Sequence, residues 1–219
     1  MLAPENVLKS TKHVGKYEKP VIELLGRYFS HQGYEVIPHA RFNVSWGSIL
    51  SDLDMLMIMD KRLLTLVEVK SRKDLLSRAR RQVARIQDYV DYAYVAIEMQ
   101  SLRAAKHRLN LPHFAGVLVV DVMTCQVGVL KKAEWIRRSP TTTSISWLNK
   151  KCLSRMARAG QPVEQASMHR MSRKWELADH IKNTAPAALL RDTLKEIVVC
   201  GRECENCCPI LKQEVERLA

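Results

Sequence analysis

Two neighbouring apolar segments carry charged residues whose types could act together in catalysis. Asp54 stands before the apolar run 55–59, and Glu68 and Lys70 end the run 63–70. Side chains alternate across a strand, so Glu68 and Lys70 share a face that is otherwise apolar, where charges are costly to bury unless they are paired or bind metal. Carboxylates are hard ligands for Mg²⁺, and a nearby lysine can orient water and stabilise developing negative charge. This set indicates metal-dependent hydrolysis of phosphodiester bonds.

The spacing of apolar residues predicts the elements that position this set. Helical spacing occurs before and after the two segments, and a tight turn at 60–62 makes the segments a hairpin. The order helix, strand, strand, strand, helix, strand is typical of an α/β fold with a mixed central sheet flanked by helices. In chain order we expect a helix at 16–31, an extended segment at 34–44, a polar loop at 43–51, strands at 52–59 and 63–70, a helix at 74–91, a strand at 92–98, a short basic helix at 101–109 and a hairpin at 115–130.

The stretch 51–56 (SDLDML), followed by 66–71 (LVEVKS), resembles the PD-(D/E)XK nuclease superfamily. In that family an Asp precedes a strand pair and Glu-x-Lys ends the next strand. The resemblance covers residues 16–130, including the order of the elements, although Leu53 stands where the family's name has a proline. It implies a restriction endonuclease-like core and an (endo)deoxyribonuclease that depends on Mg²⁺ or Mn²⁺.

The resemblance also implies roles for individual residues. Asp54, Glu68 and Val69 would hold the metal ion, and Lys70 would position the attacking water. Asp52 lies on the same face of the predicted strand as Asp54. It therefore stays open as a second ligand or as the true first one.

Many members of the family carry a Glu in the first helix that faces the site. Glu18 shares a helix face with Ile22, Leu25 and Phe29, so it is the preferred candidate. Glu23 lies on the polar side of the same helix and remains the alternative.

Many members also carry a Gln on the helix after Glu-x-Lys. Gln82 shares a predicted helix face with Leu75, Ala79 and Ile86. A polar residue on an apolar face needs a partner, and the active site would supply one.

The net charge of the chain favours a polyanionic partner. Thirty-five Lys and Arg stand against 23 Asp and Glu, which gives a formal net charge of +12. Basic side chains release condensed counterions when they bind a phosphate backbone, so we expect nucleic acid, and DNA in particular, as the partner. The residues predicted to contact it follow the motif directly: Arg72, Lys73, Arg78 and Arg81.

A change in composition near residues 139–144 predicts a linker between two regions. Residues 1–138 form the predicted nuclease-like core, and residues 145–219 form a small helical appendage with helices near 145–159, 172–183 and 186–199. This appendage could bind DNA or a protein partner, make a homodimer contact, or simply cap the sheet.

Four cysteines lie close together near the end of the chain. Their number and proximity allow Zn²⁺ or an iron–sulfur cluster, against the alternative of reduced thiols at a helix end. They are Cys200, Cys204, Cys207 and Cys208.

The sequence leaves one alternative function and predicts a location. A nuclease-like fold could bind DNA without cutting it, or act as a subunit of a repair, restriction or transposition complex. The apolar runs are all far shorter than the roughly 20 residues of a membrane span, and residues 1–12 lack the apolar core of a secretory signal. We therefore expect a cytoplasmic protein that does not enter a membrane.

Overall fold

A six-stranded mixed sheet flanked by helices forms the α/β framework of the computed structural model. The structure describes residues 15–45, 48–59, 63–105, 109–136, 139–146, 148, 150–158 and 173–200. The chain divides into two compact units, one of Lys9–Arg41 with Ser51–Arg137, the other of Met1–Leu8 with Phe42–Leu50 and Arg138–Ala219.

Eight strands and seven α-helices lie in the described parts of the chain. The strands are β1 (Glu35–Pro38), β2 (Arg41–Ser45), β3 (Ser48–Asp52), β4 (Met55–Met59), β5 (Leu63–Lys70), β6 (Tyr92–Glu98), β7 (Gly116–Asp121) and β8 (Gln126–Lys131). The helices are α1 (Glu18–Ser30), α2 (Ala79–Ile86), α3 (Met99–Ala105), α4 (Thr142–Ser146), α5 (Lys150–Arg158), α6 (Lys174–Thr184) and α7 (Ala187–Cys200), and a 3₁₀ turn, Leu76–Arg78, precedes α2.

The strand order in the large sheet is β1-β4-β5-β6-β7-β8. β4 runs antiparallel to β1 and to β5, whereas β5, β6 and β7 are mutually parallel, and β8 returns antiparallel to β7. Parallel neighbours need a crossover connection, and α2 lies in the one between β5 and β6. The predicted hairpin of β4 with β5, strand β6 and the hairpin of β7 with β8 are confirmed.

Helix α1 covers one face of this sheet. Ile22, Leu25 and Phe29 are buried, which confirms the predicted apolar face of the helix. They belong to one core cluster with alternate residues of β4 and β5: Met55, Met57, Val67 and Val69. Since strand side chains alternate, Glu68 and Lys70 lie on the opposite face of the sheet.

Two predictions for the segment before β4 are wrong. The polar loop expected at 43–51 contains β3, which pairs with β2 in a separate two-stranded sheet. The strand expected at 52–59 is broken at Leu53 and Asp54, so Asp52 ends β3 and Met55 begins β4. The pairing of β2 with β3 provides backbone partners that a polar composition does not reveal.

The helices beside the motif are shorter than expected. The segment 74–91 contains the 3₁₀ turn and α2, and Leu75 is 60% exposed rather than on the buried face. Tyr89 and Val90 are buried, but they follow the helix. The short basic helix expected at 101–109 is described over Met99–Ala105, and residues 106–108 of that prediction lie outside the described residues.

The second unit contains a small helical core. Helix α4 begins at Thr142, inside the segment predicted as a linker at 139–144. Helices α4 and α5 both pack against α6. The buried apolar side chains of these three helices form the core: Ile145, Leu153, Met156, Leu177 and Ile181. Helix α7 carries a further buried residue, Leu194. None of the helices described is both long enough and apolar enough to cross a membrane.

Candidate active site

Asp54 is held at the point where β4 begins. The main chain on both sides of it is fixed, because Leu53 N donates to Ala40 O at 2.8 Å and His39 N donates to Asp54 O at 2.9 Å. His39 takes a left-handed φ of 53°, which is uncommon for a residue other than glycine. The break in the strand therefore has a defined geometry, and it places the Asp54 side chain at the end of β5.

The carboxylate of Asp54 takes the place of a strand partner. The pairing of β4 with β5 ends at Met55 and Val67, and the next pair in that register is Asp54 with Glu68. Val69 N donates to Asp54 Oδ2 at 2.8 Å, and Asp54 is buried. Asp54 and Glu68 therefore lie side by side on the face of the sheet opposite α1.

Glu68 and Lys70 form a buried ion pair. Lys70 Nζ donates to Glu68 Oε1 at 2.6 Å, and the two side chains are 7% and 2% exposed. The Asp54 carboxyl is the other charged neighbour of Glu68. Burial and the nearby Asp54 raise the pKa of Glu68 to about 8, although Lys70 acts in the opposite direction. Near neutral pH, the two carboxyls thus hold a proton unless a cation replaces it.

Gln82 presents an unsatisfied oxygen from the neighbouring helix. It is part of α2, whose residues Ala79, Val83 and Ile86 are buried. These residues are not in the core cluster beneath α1, so α2 packs on the face that carries Glu68. Gln82 Oε1 is buried and has no hydrogen-bond partner in the described structure. A buried acceptor of this kind needs a donor, a water molecule or a cation.

The two glutamates of α1 are not joined to this group. Glu18 is half-buried at the first residue of the helix, where its Oε2 accepts a hydrogen bond from Gly15 N at 3.3 Å. Glu23 is exposed and lies 3.9 Å from Lys19. Among the described residues, neither glutamate contacts Asp54, Glu68 or Lys70, because α1 covers the other face of the sheet.

The remaining predicted residues have different positions. Asp52 and Asp54 do not belong to one continuous strand as expected, because β3 ends at Asp52 and β4 begins at Met55. Cys200 ends α7, and the other three cysteines of the C-terminal group lie outside the described residues. The basic residues predicted to contact nucleic acid are all exposed: Arg72, Lys73, Arg78 and Arg81.

The arrangement offers oxygen donors for a metal ion. No group of three or more His, Cys, Asp or Glu side chains that could hold a metal occurs in the described ranges. The donors that do meet are two carboxylates, with one amide oxygen on the adjacent helix. This set suits a hard divalent cation that keeps several water molecules or substrate oxygens as further ligands.

The chain was compared with known proteins. No family model and no curated protein matches it. It is similar to the solved structure of a protein of unknown function from Silicibacter pomeroyi, with 18% identity, a TM-score of 0.41, and coverage of 60% of this chain and 79% of that one.

Proposed function

We propose that this protein is a metal-dependent nuclease of the PD-(D/E)XK type, with a restriction endonuclease-like core, that hydrolyses phosphodiester bonds in DNA. One observation carries the proposal: two buried carboxyls, Asp54 and Glu68, lie side by side in the register of β4 and β5, and Lys70 is bonded to Glu68. Perturbed pairs of this kind are concentrated at functional sites, because the fold must stabilise them at a cost.

The donors fit a bound Mg²⁺ or Mn²⁺. Two adjacent carboxylates repel each other unless a proton or a cation lies between them, and burial together with this repulsion raises the pKa of Glu68. Asp54 and Glu68 would hold the ion, and Gln82 offers a further oxygen from α2. When bound, the ion would polarise a phosphoryl oxygen and lower the pKa of a coordinated water molecule.

Lys70 performs the second part of the chemistry. Its ammonium group has three N–H donors, of which one is directed to Glu68 Oε1. The other donors can orient the attacking water and stabilise the negative charge that develops on the phosphate. Glu68 thus holds Lys70 in place, and the low exposure of both side chains strengthens these interactions by excluding water.

Cleavage assays on single-stranded, duplex and branched DNA with Mg²⁺ or Mn²⁺ test this proposal. Lys70→Met keeps the length of the side chain but removes its charge, so we expect the rate to fall by about 100-fold or more. Asp91→Asn is the matched control, because Asp91 is also a buried acid that accepts a main-chain hydrogen bond from β5. Equal cleavage by wild type and Lys70→Met would refute the proposal.

A protein that binds DNA without cutting it is the alternative. In that case the wild type would bind the same substrates but leave them intact with either metal. Asp54, Glu68 and Lys70 would then only stabilise the sheet. Lys70→Met would change the thermal unfolding of the protein, and the DNA would stay uncut by both wild type and variant.

A further inference from the structure

The turn that follows β5 is held by acidic side chains. Ser71 N and Ser71 Oγ both donate to Asp74 Oδ2, at 2.8 and 2.6 Å. Arg72 N donates to Oε2 of Glu98, the buried last residue of β6, at 2.7 Å. Hydrogen bonds from main-chain N–H groups to carboxylates are among the stronger ones, so the turn has a fixed conformation.

The ring of Tyr17, the residue before α1, contacts the basic side chains of this turn. The Arg72 guanidinium lies over the Tyr17 ring, with its Cζ 4.4 Å from the ring centroid, and Lys73 Nζ is 6.0 Å from the same centroid. Arg72 Nη1 also donates to Gln100 Oε1 at 3.5 Å. Arg72 and Lys73 are nevertheless exposed. We call Tyr17, Arg72 and Lys73 the cationic clamp.

We propose that the cationic clamp binds the phosphate next to the one that is cut, which rests on the proposed function. Arg72 and Lys73 follow Lys70 by two and three residues, a chain distance of up to about 7–10 Å. The clamp therefore lies within one phosphate spacing or so of Lys70, close enough to contact a phosphate next to the one that is cut. A guanidinium stacked on a ring keeps its edge N–H groups available for a phosphate. Tyr17 and Glu98 act as positioning residues, since they fix Arg72 from the side chain and from the main chain.

Binding measured without metal tests the clamp separately from cleavage. The probe is a fluorescein-labelled DNA duplex in EDTA, and its anisotropy is followed at several salt concentrations. For Arg72→Gln we expect about tenfold weaker binding and a salt slope that is smaller by about 0.9, because one phosphate contact is lost. Tyr17→Ala should weaken binding about threefold, whereas Tyr17→Phe should bind like wild type because the ring face remains.

Lys132→Gln is the matched control for a lost surface charge. Lys132 is exposed and follows β8, three strands away from β5 in the sheet. If Arg72→Gln and Tyr17→Ala bind the duplex no more weakly than this control, the proposal for the cationic clamp is wrong. Should Tyr17→Ala fail to fold, as judged from thermal unfolding, Arg72→Gln alone decides.

The result also separates the clamp from the nuclease proposal. Clamp-dependent binding by a wild type that cuts nothing would retain the clamp as a phosphate contact and overturn the nuclease. Cleavage by wild type, with unchanged Kd and KM in the clamp variants, would retain the nuclease and overturn the clamp.

Discussion

Strand β5 has a buried aspartate beside each of its ends, and the two aspartates have different surroundings. At the start of the strand, Asp91 Oδ2 accepts a hydrogen bond from Leu64 N at 2.9 Å, and Asp91 N donates to Leu64 O at 2.8 Å. At the end, Asp54 Oδ2 accepts a hydrogen bond from Val69 N at 2.8 Å. Both acids are buried, and both extend the hydrogen bonding of the same strand.

The neighbours of the two acids make the difference. Asp54 lies beside a second carboxyl, Glu68, which is bonded in turn to Lys70. A main-chain hydrogen bond and burial are therefore not enough to identify a catalytic acid. At Asp54 a second acid lies beside the first, and the one lysine bonded to this pair leaves a net negative charge that a metal ion could balance.

The largest expected effect separates the two aspartates directly. Asp54→Asn and Asp91→Asn each keep a side-chain oxygen that can accept the main-chain hydrogen bond. We expect Asp54→Asn to lower the cleavage rate by about 100-fold or more, because a metal ligand is lost. Asp91→Asn should cut like wild type and lose about 1–3 kcal/mol of stability, because the buried carboxylate loses its charge-assisted hydrogen bonds. Initial rates and thermal unfolding of both variants check this, and similar rates for the two would remove the distinction.

The pH dependence of metal binding is the next effect. The pKa of Glu68 is raised to about 8, so a proton competes with Mg²⁺ for this carboxylate below that pH. We expect the affinity for Mg²⁺ to fall by up to about tenfold for each unit of pH below 8. Calorimetric titrations at three pH values measure it. Asp91→Asn should show the same dependence as wild type, and an affinity independent of pH would contradict the ligand role of Glu68.

The stability of the metal-free protein should change with pH in the direction set by Glu68. Because its pKa in the folded state lies above the ordinary value of 4.5, the folded protein holds a proton that the unfolded chain releases. This contribution to stability is complete below pH 4.5 and is lost as the pH rises to about 8, with a slope of up to about 1.4 kcal/mol per pH unit. Urea unfolding in EDTA measures the slope, and Glu68→Gln should remove it. A variant with an unchanged slope would assign the effect to another group.

The smallest expected effect concerns Gln82. Its buried Oε1 has no partner among the described residues, so Gln82→Leu should leave the metal-free protein as stable as wild type or more stable by about 1 kcal/mol. The same change should slow cleavage, since it removes the oxygen that Gln82 is proposed to offer to the metal ion. Denaturant unfolding and kcat together test this, and a large loss of stability would show that the amide is structural.

Much of the sheet could be predicted from local patterns. The apolar runs of β5, β6 and β7 are longer than a strand that is buried on one face only requires, which predicts burial on both faces. In β5 every residue after Leu63 is buried, as this pattern predicts. The adjacency of Asp54 and Glu68 followed from the predicted hairpin. Glu68 and Lys70 shared a face by alternation alone.

The missed features depend on contacts between distant segments. The break at Asp54 depends on the hydrogen bond from Leu53 N to Ala40 O, which joins the residues before β2 and after β3. Glu98 could not be recognised as a support for the turn after β5, because its bond to Arg72 N follows from the parallel register of two strands. The role of Tyr17 has no local signal either, because its ring contacts a cation 55 residues later in the chain.

The hydrogen bond between Val69 N and Asp54 Oδ2 makes the main chain a reporter on the site. That amide proton is bonded to a carboxylate rather than to a strand, so its exchange with solvent depends on where the Asp54 side chain lies. A bound ion that moves the carboxylate away from Val69 N would speed the exchange of this amide, and an ion that holds the carboxylate in its present position would slow it. The deuterium uptake of this single amide can therefore follow occupancy of the site in solution, with no substrate present.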